Sequence, residues 1–192
     1  MNPNDRLQCY PGSPWLVRQL MRKQDKARLF ELHNNEVRIL QTLFVHERHV
    51  KVEHADGLQA LKAILPPLER RAFTLVDPSY EIKDEYVHVV NALTDAYRRF
   101  TMGVYLLWYP VIKRAYVARL ENALRAGGIA NILQAELTIA PESSHGMTGS
   151  GVIIINPPWT IAENLHVILP YLAAVLGRQN QGTYRIDMLA PE

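Results

Sequence analysis

The chain has 192 residues, a formal net charge of +2 and a hydrophobic fraction of 48%. This length suits one domain of the usual ~100 to 200 residues, and the composition is too apolar for a disordered chain. The longest apolar run, Gly151 to Trp159, is far shorter than the ~18 residues of a membrane span, and the first residues lack the apolar stretch of a signal peptide. We therefore expect a single domain, residues 1–192, that is cytoplasmic and has no membrane partner.

Metal-ligating residues are sparse in the sequence. The single cysteine, Cys9, has no partner for a zinc site or a disulfide, and the seven histidines form no pair with ligand spacing. We therefore predict no metal.

The small positive charge is compatible with a nucleic-acid partner but does not select one.

Apolar spacing predicts strands and helices in alternation over most of the chain. Ser13 and Pro14 suit the N-cap and the first turn of an initial helix, "SPWLVRQLMRK". The segments that follow alternate between strand-like and helix-like periodicity: "ARLFELH", "NNEVRILQTLF" with an asparagine cap, "HVKVEHADG", "LQALKAIL", "RAFTLVDPSY", "KDEYVHVVNALTDAYRRF", "GVYLLWYP" and "VIKRAYVARLENALRAGG". Such alternation is typical of right-handed βαβ units, so we expect a parallel sheet covered by helices.

The pattern changes after Asn131. The strand-like segments "NILQAELTI" and "GVIIINP" are joined by the loop "PESSHGMTGSG", which has no helical periodicity, so an antiparallel hairpin is expected. The segment "IAENLHVILPYLAAVLG" is typical of a helix that Pro170 kinks or restarts, and "GTYRIDMLA" suits an edge strand. The predicted fold class is therefore α/β, with a mostly parallel sheet in which one late strand is antiparallel.

Three acidic residues, Glu31, Asp56 and Asp77, come at the ends of the first three predicted strands. The carboxyl ends of parallel strands meet at one edge of a sheet, and ligands bind there. Carboxylates at this edge can accept hydrogen bonds from ribose hydroxyls and from a purine amino group, which favours a nucleoside-containing cofactor. Helix or turn capping is the alternative for each acid, and for the three together both interpretations stay open.

The four residues Asp77-Pro78-Ser79-Tyr80 suit a second role. Methylation of an exocyclic amine requires the base to leave its stack, acceptors for its N–H groups and a surface for its ring. The Asp77 carboxylate and the Pro78 carbonyl can be these acceptors, with Tyr80 as the stacking ring. The alternative is a tight turn in which Tyr80 belongs to the core.

A second stretch, Asn156-Pro157-Pro158-Trp159, has the same pattern with two prolines and a larger ring. It follows the strand that we expect to be antiparallel, so its carboxyl end should lie at the opposite edge of the sheet. We therefore interpret it as a rigid strand-to-helix turn, with Trp159 packed on the last helix.

The motifs "YPGSP", "ELH", "ADG", "DPSYEIKDEY", "LWYP", "GMTGSG" and "INPPW", in this order, closely resemble the RlmJ (YhiR-like) family of bacterial ribosomal RNA large-subunit methyltransferases. The resemblance covers essentially the whole chain. It implies a Rossmann-like, class I enzyme that uses S-adenosylmethionine to methylate the exocyclic amine (N6) of an adenine in 23S ribosomal RNA, before ribosome assembly is complete. It also implies that Ser13, Glu31, Asp56, Gly57 and Asp77 contact the cofactor and that Asp77 is catalytic.

Two features depart from the family pattern. The family's first strand, its glycine-bearing loop and the tail before them are not found ahead of Tyr10, so the chain resembles the carboxyl-terminal portion of a family member. We then expect exposed apolar sheet edges, with lower stability or dependence on another chain. Ser79 also stands where the family usually has a second proline, which leaves the turn less fixed unless the serine hydroxyl forms a local hydrogen bond.

Two other functions stay open at this point. The first is a catalytically silent remnant or a nucleic-acid-binding protein linked to the use of external DNA, because the first strand is missing. The second is a fragment of a nicotinamide-dependent oxidoreductase, which could use Glu31 on a ribose but would leave the Asp77-Pro78 turn without a purpose.

Overall fold

The computed structural model describes residues 10–80, 85–142 and 146–192. Predictions that concern Cys9, the start of the fourth helix at Lys83 and Asp84, and the loop at 143–145 lie outside these residues. The helices are α1 (Ser13–Leu20), α2 (Asn34–Leu43), α3 (Gly57–Ile64), α4 (Glu85–Arg99), α5 (Arg114–Ala126) and α6 (Ile161–Leu176). The strands are β1 (Ala27–Glu31), β2 (Val50–His54), β3 (Phe73–Val76), β4 (Val104–Val111), β5 (Ile132–Thr138), β6 (Gly149–Ile155) and β7 (Thr183–Ala190). The predicted alternation of helices and strands is confirmed.

The chain divides into two compact units, Met1–Ala60 and Leu61–Glu192. The described strands also form two sheets, one with the order β1-β2 and one with the order β3-β4-β6-β5-β7. A single methyltransferase domain over residues 1–192 stays a prediction. No helix in the described part of the chain is both long and apolar enough to span a membrane.

In the first unit, β1 and β2 are parallel, and Glu31 lies beside His54. Their carboxyl ends therefore share one edge of the small sheet. The buried side chain of Val37 anchors α2. The predicted asparagine cap of α2 is wrong: His33 is the N-cap, and its Nδ1 accepts the Glu36 N–H at 3.5 Å. An imidazole nitrogen supplies the acceptor that a capping position needs.

In the second unit, β3, β4 and β5 run in one direction, while β6 and β7 run in the other. The predicted hairpin is confirmed, since β5 and β6 are antiparallel neighbours. The antiparallel late strand is also confirmed in β6, and the predicted edge strand in β7 runs against β5 as well. The mostly parallel α/β fold class is therefore correct.

The core of the second unit lies where α4 and α5 meet the sheet. Val89 and Leu93 of α4 and Leu120 of α5 are fully buried, as is Tyr105 of β4. Val89 and Leu93 are four residues apart, which places them on one face of α4. Apolar burial of this kind provides most of the free energy of folding.

The last helix is continuous from Ile161 to Leu176 and includes Pro170. Of the two alternatives predicted at Pro170, a restart of the helix is therefore wrong, and a kink stays a prediction. Leu169 and Ala173, on either side of the proline, are buried. Their packing offsets the backbone hydrogen bond that a proline inside a helix removes.

Strand β3 lies at one end of the five-stranded sheet, and in the described chain its only paired strand is β4. Two of its apolar side chains are exposed, Phe73 by 54% and Leu75 by 37%. A parallel strand normally has both faces covered. The exposed edge that we expected from the sequence is present at β3.

Candidate active site

Asp77 directly follows β3, whose last residue, Val76, pairs with Leu107 of β4. The residue therefore lies at the carboxyl edge of the parallel strands of the second unit. No group within the described residues donates a hydrogen bond to its carboxylate. Partial burial raises the pKa of Asp77. The site thus offers carboxylate oxygens that are free to accept hydrogen bonds from a ligand.

Tyr80 ends the same turn with an unusual backbone, at a φ of 53°. Its ring centroid lies 4.6 Å from that of Tyr86 and 6.2 Å from that of Trp108, and its hydroxyl donates a 2.8 Å hydrogen bond to the Trp108 carbonyl. The side chain is only 7% exposed, and burial raises the pKa of Tyr80 far above its usual range. The stacking role of Tyr80 stays a prediction, and its burial favours the alternative of a ring packed in an aromatic cluster.

Ser79 forms a hydrogen bond that ties the turn to the next helix. Its hydroxyl donates to the carboxylate of Glu85, the first residue of α4, at 3.2 Å from one oxygen and 3.4 Å from the other. The local hydrogen bond that the sequence left open for this serine is therefore present. It restrains a turn in which Pro78 alone fixes φ.

The second proline motif lies at the opposite ends of the strands, beside the amino end of β4. Ile155, the last residue of β6, pairs with Tyr105 near the start of β4, as its antiparallel direction predicts. The Asn156 side chain donates to the carbonyls of Thr101 and Gly103, both at 2.7 Å. These bonds make Asn156 part of a structural turn.

The prediction that Trp159 packs on the last helix is wrong, because this side chain is 88% exposed. Trp159 precedes the first residue of α6, Ile161. The buried positions of α6, Leu169 and Ala173, are more than two helical turns further on. The ring therefore does not reach the face of the helix that contacts the sheet.

Glu31 and Asp56 lie at the carboxyl edge of the first unit's sheet, and both accept hydrogen bonds from local backbone. One oxygen of Glu31 accepts the His33 N–H at 2.7 Å. One oxygen of Asp56 accepts the N–H groups of Leu58 at 2.9 Å and Gln59 at 3.3 Å, which caps α3. The capping alternative is thus observed, and within the described chain the second oxygen of each carboxylate has no hydrogen bond.

Ser13 and Gly57 each begin a helix. Gly12, not Ser13, is the N-cap of α1, so the N-cap prediction for Ser13 is wrong by one position. At Gly57 an added Cβ would lie 3.3 Å from the Cβ of Phe30, a tight contact, so glycine lets α3 begin close to β1 without displacing that side chain. Each unit thus offers free carboxylate oxygens, at Glu31 and Asp56 in the first and at Asp77 in the second. Taken singly, each is an acceptor that suits the hydroxyl and amino groups of a nucleoside such as that of S-adenosylmethionine. Within residues 10–80, 85–142 and 146–192, no group of His, Cys, Asp or Glu side chains could hold a metal ion.

Sequence reasoning missed a buried polar cluster on β5. Gln134 is completely buried and Glu136 is 3% exposed. The two residues alternate with apolar ones, which is typical of a strand with one solvent-exposed face. The only available signal was that β5 forms a hairpin with β6 and is followed by a further strand, β7, that could enclose it.

The fold and the Asp77 turn define a class: an α/β protein with an open carboxylate acceptor at the carboxyl ends of its parallel strands, where ligands of such sheets bind. The comparison with known families makes this specific. Residues 1–190 match the family described as "Ribosomal RNA large subunit methyltransferase D, RlmJ", and the chain belongs to this family.

Relatives agree with this assignment. The chain is 43% identical over 192 residues to "Ribosomal RNA large subunit methyltransferase J" of Escherichia coli and covers 69% of that protein. It is also 43% identical over 187 residues to the protein of the same name from Haemophilus influenzae, with 66% of that protein covered. A crystal structure of a Legionella pneumophila protein superposes with a TM-score of 0.86 at 36% identity, over 93% of this chain and 66% of that one. The chain thus spans about two thirds of the length of these relatives.

Proposed function

We propose that this chain is an S-adenosylmethionine-dependent methyltransferase that acts on the exocyclic amine of an adenine in large-subunit ribosomal RNA. The observation that carries the proposal is the Asp77 turn. It lies at the carboxyl edge of β3 and β4, its carboxylate has no partner in the described chain, and partial burial raises its pKa. The family to which the chain belongs supports the reaction class and the RNA substrate.

In this proposal Asp77 and Pro78 hold the amine. The Asp77 carboxylate accepts one N–H and the Pro78 carbonyl accepts the other, so the nitrogen lone pair points away from both. S-adenosylmethionine supplies an electrophilic methyl group on its sulfonium. With the cofactor bound, the amine nitrogen would take that methyl group, and the Asp77 carboxylate would accept the proton that the amine releases. A raised pKa makes this carboxylate a better proton acceptor.

The cofactor contacts in this proposal come from Ser13, Glu31, Asp56, Gly57 and Asp77. The unengaged oxygens of Glu31 and Asp56 would accept from ribose hydroxyls or from the purine amino group. The backbone that Gly57 leaves exposed would approach the nucleoside closely.

The proposed substrate is 23S ribosomal RNA that is not yet fully assembled into a subunit. The target adenine must rotate out of its stack to reach Asp77, and this costs a few kcal/mol, least for a base that is unpaired. An adenine covered by ribosomal proteins would be out of reach.

The test is methyl transfer from labelled S-adenosylmethionine to unmodified 23S ribosomal RNA. We expect transfer by the wild-type chain and its loss in Asp77→Ala, with cofactor binding followed by calorimetry in both. Equal transfer by Asp77→Ala would contradict the role of Asp77. A wild-type chain that binds no cofactor and transfers no methyl group would contradict the proposed function itself.

A further inference from the structure

A buried polar cluster links three strands and one helix of the second unit. The Tyr109 hydroxyl donates to Glu136 at 3.0 Å and accepts from Gln134 at 2.6 Å. Arg114, the first residue of α5, donates to both Glu136 oxygens, at 2.9 and 2.8 Å. Arg185 of β7 donates to the Gln134 carbonyl oxygen at 2.6 Å. Every polar side chain in the cluster therefore has a partner.

Gly151 makes this cluster possible. It lies on β6 between Tyr109 of β4 and Glu136 of β5. A Cβ at Gly151 would collide with the ring and the hydroxyl of Tyr109. The absent side chain therefore lets the phenol cross β6 and reach the carboxylate on the strand beyond.

Burial of the Glu136 carboxylate costs free energy, and an apolar residue of similar volume would often be at least as stable. What the buried carboxylate achieves is the fixed orientation of Arg114. A two-point contact holds the guanidinium plane in one position, while 43% of the Arg114 side chain stays exposed. The cluster thus fixes the guanidinium of a side chain that is partly exposed.

Arg114 lines a cleft of about 340 Å³, near the lower end of the roughly 300 to 1,000 Å³ usual for ligand sites. The other walls include Val111, Thr138, Thr148 and Thr183. Val111 and Thr138 are the last residues of β4 and β5, and Thr183 is the first residue of β7. The cleft therefore opens at the same edge of the sheet as Asp77.

The separation from Asp77 follows from the strand register. Val76 pairs with Leu107, so Asp77 is level with Trp108, and Val111 lies three residues further along β4, which is roughly 10 Å at about 3.3 Å per residue. The cleft extends across β6 and β5, with strands about 4.8 Å apart. It is thus too far from Asp77 to hold the target base, and near enough to hold a neighbouring part of the same RNA strand.

The chemistry of the cleft favours a base over a phosphate. Glu136 neutralises Arg114, and Glu142 adds a second carboxylate to the walls, so the cleft has no surplus of positive charge. A guanidinium plane is a surface on which unstacked RNA bases pack. The hydroxyls of Thr138 and Thr183 and the amide of Gln181 can pair with base edges.

We propose that this cleft binds a nucleobase two or more nucleotides away from the target adenine, stacked on the Arg114 guanidinium. The inference rests on the proposed function, because it concerns the same RNA substrate. It adds a second point of attachment, at which the strand is held while the adenine is presented to Asp77.

The test compares the RNA affinity of variants at two arginines of the same cluster, Arg114 and Arg185. The double variant Arg114→Gln/Glu136→Gln removes both charges together, so no unpaired carboxylate is left in the core. Arg185→Gln is the matched control, since Arg185 belongs to the cluster but does not line the cleft. Arg114→Lys keeps the charge and loses the planar surface. Fluorescence anisotropy measures the affinity for a labelled trinucleotide with a central adenine and for a nonanucleotide that extends it on both sides.

We expect the wild-type chain to bind the nonanucleotide more tightly than the trinucleotide. The double variant and Arg114→Lys should lose roughly tenfold in affinity for the nonanucleotide, within the range for loss of one stacked base, and nothing for the trinucleotide. Arg185→Gln should bind both like the wild type. Urea unfolding of all four proteins checks that the fold is retained.

The proposal is overturned if the double variant binds the nonanucleotide like the wild type, or if it loses affinity for both RNAs equally. If the wild type still methylates 23S ribosomal RNA in that case, only the cleft proposal fails. If the wild type neither methylates nor binds RNA, the proposed function fails with it.

Discussion

The turns after β3 and β6 have the same residue pattern but opposite surroundings. Asp77 lies at the carboxyl edge of the parallel strands with no hydrogen-bond partner in the described chain, whereas Asn156, at the other end of the sheet, donates two 2.7 Å hydrogen bonds to backbone carbonyls. The aromatic rings differ too, since Tyr80 is 7% exposed and Trp159 is 88% exposed. In the first turn the aromatic ring is buried and the carboxylate has no hydrogen-bond partner in the described chain. In the second turn the ring is exposed and the amide side chain is hydrogen-bonded.

Strand direction explains this difference. The two stretches would be hard to rank from composition alone, and the second, with its two prolines, has the stiffer chain. Because β6 is antiparallel to β4, its carboxyl end lies beside the start of β4, away from Asp77. A motif therefore acquires its role from the edge of the sheet at which it lies.

The largest difference between the turns should be in catalysis. Asp77→Asn keeps the size of the side chain but replaces one acceptor oxygen with a donor, so it should lower methyl transfer roughly 100- to 1,000-fold, as loss of one preorganised electrostatic group does. Asn156→Ala should leave the rate unchanged. Single-turnover transfer to 23S ribosomal RNA measures both, and equal losses in the two variants would remove the distinction between the turns.

For stability, the larger effect should come from Asn156 and the smaller from Asp77. Asn156→Ala removes two hydrogen bonds and places alanine at a φ of 54°, so we expect it to lower the free energy of unfolding by about 2 kcal/mol. Asp77→Asn breaks no hydrogen bond in the described chain and should not destabilise the protein. Urea unfolding followed by circular dichroism compares them, and an unchanged midpoint for Asn156→Ala would contradict a structural role of its side chain.

A smaller effect is expected at Ser79, which occupies the position of Pro158 in the other turn. Ser79→Ala removes the hydroxyl that donates to Glu85 and should lower methyl transfer a few-fold, in line with the about 1 kcal/mol of a single hydrogen bond. The control is Thr160→Ala, since this residue precedes α6 and its side chain makes no capping hydrogen bond. A rate for Ser79→Ala equal to that of the control would show that the hydrogen bond does not order the turn.

The smallest effect concerns pH. Burial raises the pKa of Asp77 above its unfolded value of about 3.9. A raised pKa favours the folded state below the unfolded pKa, and this contribution is lost as the pH rises through the folded-state pKa. Asp77→Asn, which cannot ionise, should therefore be slightly more stable than the wild type at neutral pH and equal to it in acid. Urea midpoints across this range test the sign, while the difference for Asn156→Ala should not change with pH.

The sequence was sufficient to predict the order of strands and helices, the hairpin and the antiparallel β6, because these follow from apolar periodicity and from a loop without a helix. It also separated Asp77 from the second proline motif. It did not identify His33 as the cap of α2, which is a local contact of an unusual capping residue. It could not decide whether the last helix continues through Pro170 or show that Trp159 is exposed, since both depend on packing with distant residues.

The buried cluster was missed for a related reason. Glu136 looks like the solvent face of an edge strand until its neighbours are known. In the structure α5 covers it and β7 pairs beyond it, so its carboxylate contacts Arg114 instead of water. Contacts between residues far apart in the chain decide which polar positions are buried.

The hydrogen bond between Ser79 and Glu85 also has a thermal consequence. A proline ring restricts φ at any temperature because the restriction is covalent, whereas an exposed hydrogen bond competes with water and weakens on heating. The turn that holds Asp77 should therefore loosen before the sheet melts, while the turn at Pro157 and Pro158 stays ordered. We expect methyl transfer to decline on warming at temperatures where circular dichroism still reports a folded protein, so that this chain would have a working range set by one side-chain hydroxyl.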